Sequence, residues 1–268
     1  WGGEPGKAVV LTSSAGYWVS LDGGGSEKFA LPVEEAGAAE GGMDSSGSRI
    51  YVLGVSGGIY RSSDLGRNWD KADSNLAAEE AEPQGRFGSR YRALAVCESK
   101  PEVVYLSCAG MPVEINGYQQ RVSGILRSTD AGASWNWVLQ VCGGDIMSRN
   151  YEGGWLIRNL GWFGAPSHLG VCPTNPDICY CTDSGRTFRT LDGGKSWKQV
   201  ISRDLPDGSF TTRGLDVTTT YGVHFDPYDP EHYFITYTDI GLFHTFNSGK
   251  SWYQSITGIP QQWRNTCY

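Results

Sequence analysis

Short apolar runs alternate with clusters of Gly, Asn, Asp and Pro along this chain, and they do so in units. Arg49-Ile50-Tyr51-Val52-Leu53 turns at Ser56-Gly57-Gly58 into Ile59-Tyr60-Arg61. Residues 91–96 lead to 103–106, then an insertion, then Gly124-Ile125-Leu126-Arg127. Leu169-Gly170-Val171 leads to 178–182 and Thr187-Phe188-Arg189, and Gly222-Val223-His224-Phe225 to 233–237 and Leu242-Phe243-His244. Near the start, residues 8–12 and 17–20 read as a hairpin. Short β-rich runs bounded by turn residues predict strands. One more strand, such as Lys198-Gln199-Val200-Ile201, closes a unit. The predicted unit is therefore four antiparallel strands.

A nine-residue pattern marks the turn between the third and fourth strands. It reads Arg61-Ser62-Ser63-Asp64-Leu65-Gly66-Arg67-Asn68-Trp69 and returns at 127–135, 189–197 and 244–252. The shared core is Ser/Thr-x-Asp-x-Gly-x-x-Trp, carried by Asp64, Asp130, Asp192 and Asn247 with Trp69, Trp135, Trp197 and Trp252. A worn copy keeps Ser20, Asp22 and Gly24 but has Glu27 in place of the Trp. The five Asp/Asn positions are 42, 66, 62 and 55 residues apart, the signature of a repeat protein with variable insertions. An Asp in such a turn accepts backbone N–H bonds, Gly takes the left-handed conformation, and the hydroxyl adds a local bond. These residues are assigned to structure, with each Trp packing against its own unit. Four strands per repeat predict an all-β propeller with blades near 1–30, 40–75, 88–142, 167–205 and 220–260, in one domain over 1–268. The first unit lacks a clear first strand. A larger propeller, completed by a second chain or domain, is expected.

Composition agrees with this. The chain has 37 Gly, 14 Tyr, 10 Trp and 19% charged residues, which suits short strands and tight turns. A net charge of −7 disfavours nucleic acid and anionic membrane surfaces as partners. No apolar run approaches the ~18 residues of a membrane span. Trp1-Gly2-Gly3 is read as a mature or trimmed end rather than a signal peptide. The seven cysteines are Cys97, Cys108, Cys142, Cys172, Cys179, Cys181 and Cys267. They lack paired metal-ligand spacings, and Cys179-Tyr180-Cys181 alone is a weak metal signal. No metal and no cofactor is expected. One or more disulfides in a secreted or periplasmic protein are expected, with Cys172 and Cys179 placed to bridge a hairpin.

The boxes resemble those of the Asp-box (bacterial neuraminidase repeat) propellers, which include sialidases, xyloglucanases and sortilin-type receptors. The local likeness is to the xyloglucanase type. Pro173-Thr174-Asn175-Pro176-Asp177-Ile178-Cys179-Tyr180-Cys181-Thr182-Asp183-Ser184-Gly185 resembles that family's run before its catalytic Asp. So does Pro227-Tyr228-Asp229-Pro230 continuing to Thr238-Asp239-Ile240-Gly241. Arg186 and Leu242 stand where the pattern has a second Gly. The resemblance implies a glycoside hydrolase acting on a polysaccharide, with Asp183 or Asp239 in the place of that Asp; the family's second acid, in a distant region, has no match here. The sialidase type is less similar, since no Arg-Ile-Pro occurs.

Turns between strands two and three, and the connections between blades, share the face away from the boxes. Long insertions fall there, at 109–122, 141–167 and 202–221, and long loops on a rigid scaffold carry function. Trp155, Trp162 and Phe163, with Tyr151, are candidate sugar platforms, or else a satellite core under the loop. Arg158 and Arg213 are candidate hydroxyl or carboxylate partners, or loop-holding ion pairs. Glycoside cleavage needs two carboxyls, about 5 Å apart for retention and roughly 6.5–9.5 Å for inversion. Asp183, Asp239 and Asp216 are the candidates; each alternatively caps its own turn. His168 and His224 lie on first strands, which line a propeller's channel. With Tyr221, Arg92 and Arg158 they offer the base and cations of a polysaccharide lyase. A non-catalytic carbohydrate- or protein-binding propeller, or a structural subunit of an extracellular assembly, is the main alternative to the hydrolase.

Overall fold

The computed structural model of the protein describes residues 7–12, 15–32, 38–44, 48–54, 57–76, 90–142, 145–146, 150–160, 164–183, 185–213, 220–260 and 262. The chain forms two compact units. One comprises residues 1–151, 163–184 and 188–197, and the other residues 152–162, 185–187 and 198–268.

Regular structure is almost entirely antiparallel strand. A three-stranded sheet holds β1 (Lys7–Leu11), β2 (Gly16–Ser20) and β3 (Ser26–Phe29). A four-stranded sheet follows: β4 (Ala38–Met43), β5 (Ile50–Gly54), β6 (Ile59–Ser62) and β7 (Asp70–Lys71). Next come β8 (Tyr91–Val96), β9 (Val104–Ile115), β10 (Tyr118–Ser128) and β11 (Asn136–Cys142), with β12 (Asp145–Ile146) at the edge. After β13 (Tyr151–Glu152) and helix α1 (Gly154–Leu160) comes the sheet of β14 (His168–Cys172), β15 (Asn175–Thr182), β16 (Thr187–Thr190) and β17 (Trp197–Gln199). A ribbon of β18 (Ser202–Asp204) and β19 (Phe210–Thr212) precedes the last sheet. That sheet holds β20 (Thr220–Phe225), β21 (Tyr233–Tyr237), β22 (Leu242–Thr245) and β23 (Tyr253–Gln254). Neighbouring strands are consecutive in the chain, as in propeller blades, except that β13 joins the β14–β17 sheet at its edge beside β17. In the first unit β8 lies against β4 and β14, so the first strands of three sheets pack side by side. Every residue of β5 is buried, which explains why its alternation is lost to a continuous apolar run.

The boxes are four copies of one hydrogen-bonded turn. The hydroxyls of Ser62, Ser128 and Thr190 donate to Asp64, Asp130 and Asp192 at 2.8 Å each. The amides of Gly66, Gly132 and Gly194 return to those hydroxyls at 2.8–2.9 Å. Each carboxylate also accepts the amide of the residue four positions on, Asn68, Ser134 or Ser196. Asn247 repeats the geometry with Thr245 and Ser251. Two successive left-handed residues make the bend, such as Ala131 at φ 60° and Gly132 at φ 83°. The worn copy keeps its turn, with Ser20 Oγ and the Gly24 amide both donating to Asp22. The turn amides of Ala131, Gly193 and Ser248 donate to the carbonyls of Glu102, Asp177 and Glu231, so first-to-second turns and boxes share one end of each sheet.

Hydrogen bonds donated within the turn lower the box carboxylates. Asp64 is held at about 2, chiefly by the Asn68 amides and then Ser62. Asp130 and Asp192 shift down as well, chiefly through the hydroxyls of Ser134 and Ser196. A carboxylate lowered on folding stabilises above its unfolded value near ~4 and loses that contribution as pH falls through the folded value. Acid is therefore expected to weaken the fold between about pH 4 and pH 2. The variant combining Asp64→Asn, Asp130→Asn and Asp192→Asn keeps the amide acceptors, as Asn247 does, and should lose less over that window. Unfolding midpoints in urea at stepped pH check this; equal acid sensitivity in both proteins would assign the effect elsewhere.

Three expectations change. Three of the box Trp residues reach the preceding sheet as well as packing on their own. Trp69 Nε1 donates to Ala30 O at 3.1 Å, Trp135 Nε1 to Ala72 O at 2.8 Å, and Trp197 Nε1 to Val138 O at 3.0 Å. The described cysteines Cys97, Cys108, Cys172, Cys179 and Cys181 form no disulfide with one another. Cys172 does not bridge to Cys179: Cys179 pairs with Val171 and is fully buried, and its neighbour in register for Cys172 is Asn175. Burial pushes the Cys179 thiol up to about 12. The side chains of Cys142 and Cys267 lie outside the described residues. Finally, the inter-blade insertions contain regular structure, α1 and the β18–β19 ribbon, where unstructured loops were expected. The other insertion extends β9 and β10 through a tight turn at Asn116 (φ 54°) and Gly117 (φ 80°), both left-handed as a two-residue hairpin requires.

Candidate functional site

One cavity of the first unit opens beside the boxes. It encloses about 620 Å³ between the worn box turn and the box at Leu65-Gly66-Arg67. Trp18, Glu27, Lys28 and Arg67 line it with the hydroxyls of Ser20 and Ser26. Trp18 is held by its Nε1 donating to Leu65 O at 3.3 Å. Phe29 forms the floor, buried, with its ring between Trp18 and Trp69 at centroid distances of 6.3 and 6.4 Å. Gly66, at φ 81°, admits that ring; a Cβ there would stand 2.6 Å from it. Glu27 pairs with Trp18 across β2 and β3, so carboxylate and indole share one face. Sibling boxes carry an indole where Glu27 stands. The loss of the box pattern thus puts an ionisable acceptor in the cavity wall. Among its lining residues Glu27 is the sole carboxylate.

A second cluster lies on one face of the last sheet. Cross-strand register aligns His224, Phe234, His244 and Tyr253 in a single row. Three other sheets carry Gly42–Tyr51–Arg61, Ala95–Tyr105–Arg127 and Gly170–Tyr180–Arg189 in the same places. In the first two of these the Tyr and Arg clasp the next sheet, whereas Arg189 donates to Tyr180 in its own sheet: Tyr51 Oη donates to Pro101 O and Tyr105 Oη to Pro176 O at 2.7 and 2.8 Å. Arg61 donates to Ala131 O and Arg127 to Asp177, each at 2.7 Å. The last sheet has neither the hydroxyl nor the guanidinium. Instead Asp226 Oδ2 accepts from His232 Nδ1 at 2.9 Å, and His232 Nε2 faces His244 Nδ1 at 3.4 Å. Phe246 stacks on His232 at 4.4 Å and is 53% exposed. Desolvation, then the neighbouring His232, lowers His244. The residue ahead of each box hydroxyl carried the signal, since His244 breaks a series of Arg61, Arg127 and Arg189.

The residues proposed from sequence fall elsewhere. Asp183 follows β15 in the first unit and is half-buried. Asp239 sits exposed in the β21–β22 turn of the second, closed by the Tyr237 amide donating to Gly241 O at 2.9 Å. Asp216, Trp162 and Phe163 lie outside the described residues. Trp155 is not an exposed platform: it is 6% exposed and stacks on Phe210 at 4.8 Å within an apolar cluster. Its side of α1 is apolar because Trp155 and Leu156 pack against Ile201 and Ile240, which supports a helix too short to stand alone. Arg158 makes a bidentate pair with Asp204 at 2.7 and 2.9 Å, the loop-holding role. Arg213 is exposed and anchored by its amide donating to Ile201 O. His168 and His224 are exposed on β14 and β20. No helix among the described residues is long and apolar enough to cross a membrane.

No protein-family model matches the sequence, and no curated protein matches it. Among solved structures the chain is similar to a GH74 enzyme of Niastella koreensis, at 15% identity over 94% of this chain and 44% of that one, with a TM-score of 0.47. It is similar to the GH74 xyloglucanase of Xanthomonas campestris at 16% identity, over 92% of this chain and 43% of that one, with a TM-score of 0.44. A third, YCF48 bound to D1 peptide, shares 12% identity over 92% of this chain and 71% of that one, with a TM-score of 0.38. The chain spans less than half the length of the two GH74 proteins. Likenesses of this grade assign no residue a role.

Proposed function

We propose that this chain is a carbohydrate-binding module of β-propeller type that holds a polysaccharide segment in the cavity beside Trp18. The observation that carries the reading is the pairing of an indole face with Glu27, Lys28 and Arg67 around about 620 Å³, a volume suited to a few sugar rings. An indole covers the apolar face of a ring while charged groups bond its hydroxyls. One carboxylate is enough for binding; glycoside cleavage takes two. An extracytoplasmic location belongs to the same proposal, because polysaccharides lie there. So does a completing chain or domain: β20 is exposed along its length, with Val223 51% and Phe225 65% exposed, whereas the equivalent β8 is buried.

Affinity electrophoresis through gels containing xyloglucan, polygalacturonate or mixed-linkage glucan tests it. Retardation in one gel is expected, and Trp18→Ala and Glu27→Gln should each weaken it at least ~10-fold, about 1.4 kcal/mol. Unretarded migration in every gel, or retardation untouched by both variants, would overturn the reading. Chain cleavage of the retained polysaccharide that disappears in Asp183→Asn or Asp239→Asn would replace it with the hydrolase.

A further inference from the structure

We propose that His232 and His244 form a site for a borderline transition-metal ion of the Zn²⁺, Ni²⁺ or Cu²⁺ class on the face of the last sheet. The site is separate from the cavity beside Trp18 and does not depend on the carbohydrate reading. Its geometry begins with Asp226. The carboxylate accepts from His232 Nδ1 at 2.9 Å, so that nitrogen carries the proton and Nε2 offers its lone pair. A carboxylate behind a ligating imidazole fixes the ring and raises its basicity. Asp226 is itself oriented, since its Oδ1 accepts the Tyr228 amide at 2.9 Å.

His232 Nε2 and His244 Nδ1 are 3.4 Å apart. Two metal–nitrogen bonds of about 2.0–2.1 Å meeting at a tetrahedral angle span roughly 3.3–3.4 Å. The two nitrogens thus stand at the separation a shared ion imposes, and the ion replaces the hydrogen bond between the rings, with the proton of neutral His244 residing on its Nε2. The rings are held by packing. Phe246 lies on His232 at 4.4 Å, and Phe234 lies on His244 at 5.6 Å and against His232 at 4.8 Å. Tyr253 closes the other side of His244 at 5.6 Å. Its hydroxyl donates to Asp207 at 3.2 Å. The position of His244 matters: Arg61, Arg127 and Arg189 occupy it in the other sheets, and a guanidinium there would repel a cation. Among the described residues no group of three His, Cys, Asp or Glu converges on one point. The protein therefore supplies two nitrogens, and the remaining positions are open to water or a ligand oxygen.

The test is titration of the full chain with Zn²⁺ and Co²⁺ by calorimetry and visible absorption, with the thiols that react in the folded protein alkylated beforehand to remove thiolate ligands. One ion per chain is expected, with a cobalt spectrum of nitrogen and oxygen ligation. His232→Gln and His244→Gln should each weaken binding at least ~10-fold, and Asp226→Asn by about 10-fold, the usual cost of losing an outer partner. His168→Gln serves as the control and should bind as the parent does. Zn²⁺ should raise the thermal midpoint of the parent and not of His244→Gln, whose own midpoint without metal reports on folding. Absence of saturable binding, or binding unchanged in all three cluster variants, would overturn the proposal.

Discussion

Replacing Trp197 with alanine is expected to cost the first unit about 3–5 kcal/mol, the range for removing a large buried aromatic. Trp197 is 1% exposed and belongs to the cluster of Tyr105, Ile125, Leu139 and Phe188 that joins two sheets. Its indole nitrogen also donates to Val138 O of the preceding sheet at 3.0 Å. Two contributions are therefore lost together. Trp197→Phe separates them, because it keeps most of the apolar surface and removes the donor. It should cost about 1 kcal/mol for the bond, plus what the smaller ring gives up in packing. Chemical denaturation followed by tryptophan fluorescence and by far-UV circular dichroism measures both. A loss under ~1 kcal/mol in Trp197→Ala would show that the box Trp does not couple neighbouring sheets.

Gly124→Ala is expected to be nearly as damaging, for a backbone reason. Gly124 sits at φ 153°, beside a register shift between β9 and β10. A Cβ there would stand 2.0 Å from Leu139 O and 2.9 Å from the carbonyl carbon, both backbone atoms of β11. No side-chain rotation relieves that contact, so the β10–β11 ladder must open. Strain of ~1–3 kcal/mol and overpacking of ~1–3 kcal/mol together give a loss of about 2–6 kcal/mol. Gly170→Ala is the matched control: it also lies in a strand, and nothing stands within 4 Å of its Cβ position. That change should stay within about 0.5 kcal/mol of the parent. Equal effects at the two glycines would remove the close approach at Leu139 as the cause.

Both substitutions concern contacts between strands that local sequence does not announce. Asp64, Asp130 and Asp192 were legible as turn residues because their partners lie within four positions, where a short pattern specifies the geometry. Trp155 was not legible: as an aromatic in a Gly-rich connection it suits an exposed platform and a satellite core equally. Only its stacking on Phe210 and Phe243 placed it in the core. The cavity beside Trp18 was missed for a related reason. Glu27 reads as wear in a repeat until the register sets it across from an indole.

The sequence by itself determined the strand–turn repeat, its phase and the turn chemistry, since these follow from periodicity and from hydrogen bonds spanning a few residues. It also held the substitution of His244 for a run of arginines, visible once the boxes are aligned. Tertiary structure alone decided which sheet each box Trp grips, that Cys172 and Cys179 stay apart, and that His232, Asp226 and His244 converge. The physical reason is range. A turn is closed by neighbours in the chain, whereas Trp197 meets Val138 from 59 residues away, through packing that no local pattern encodes.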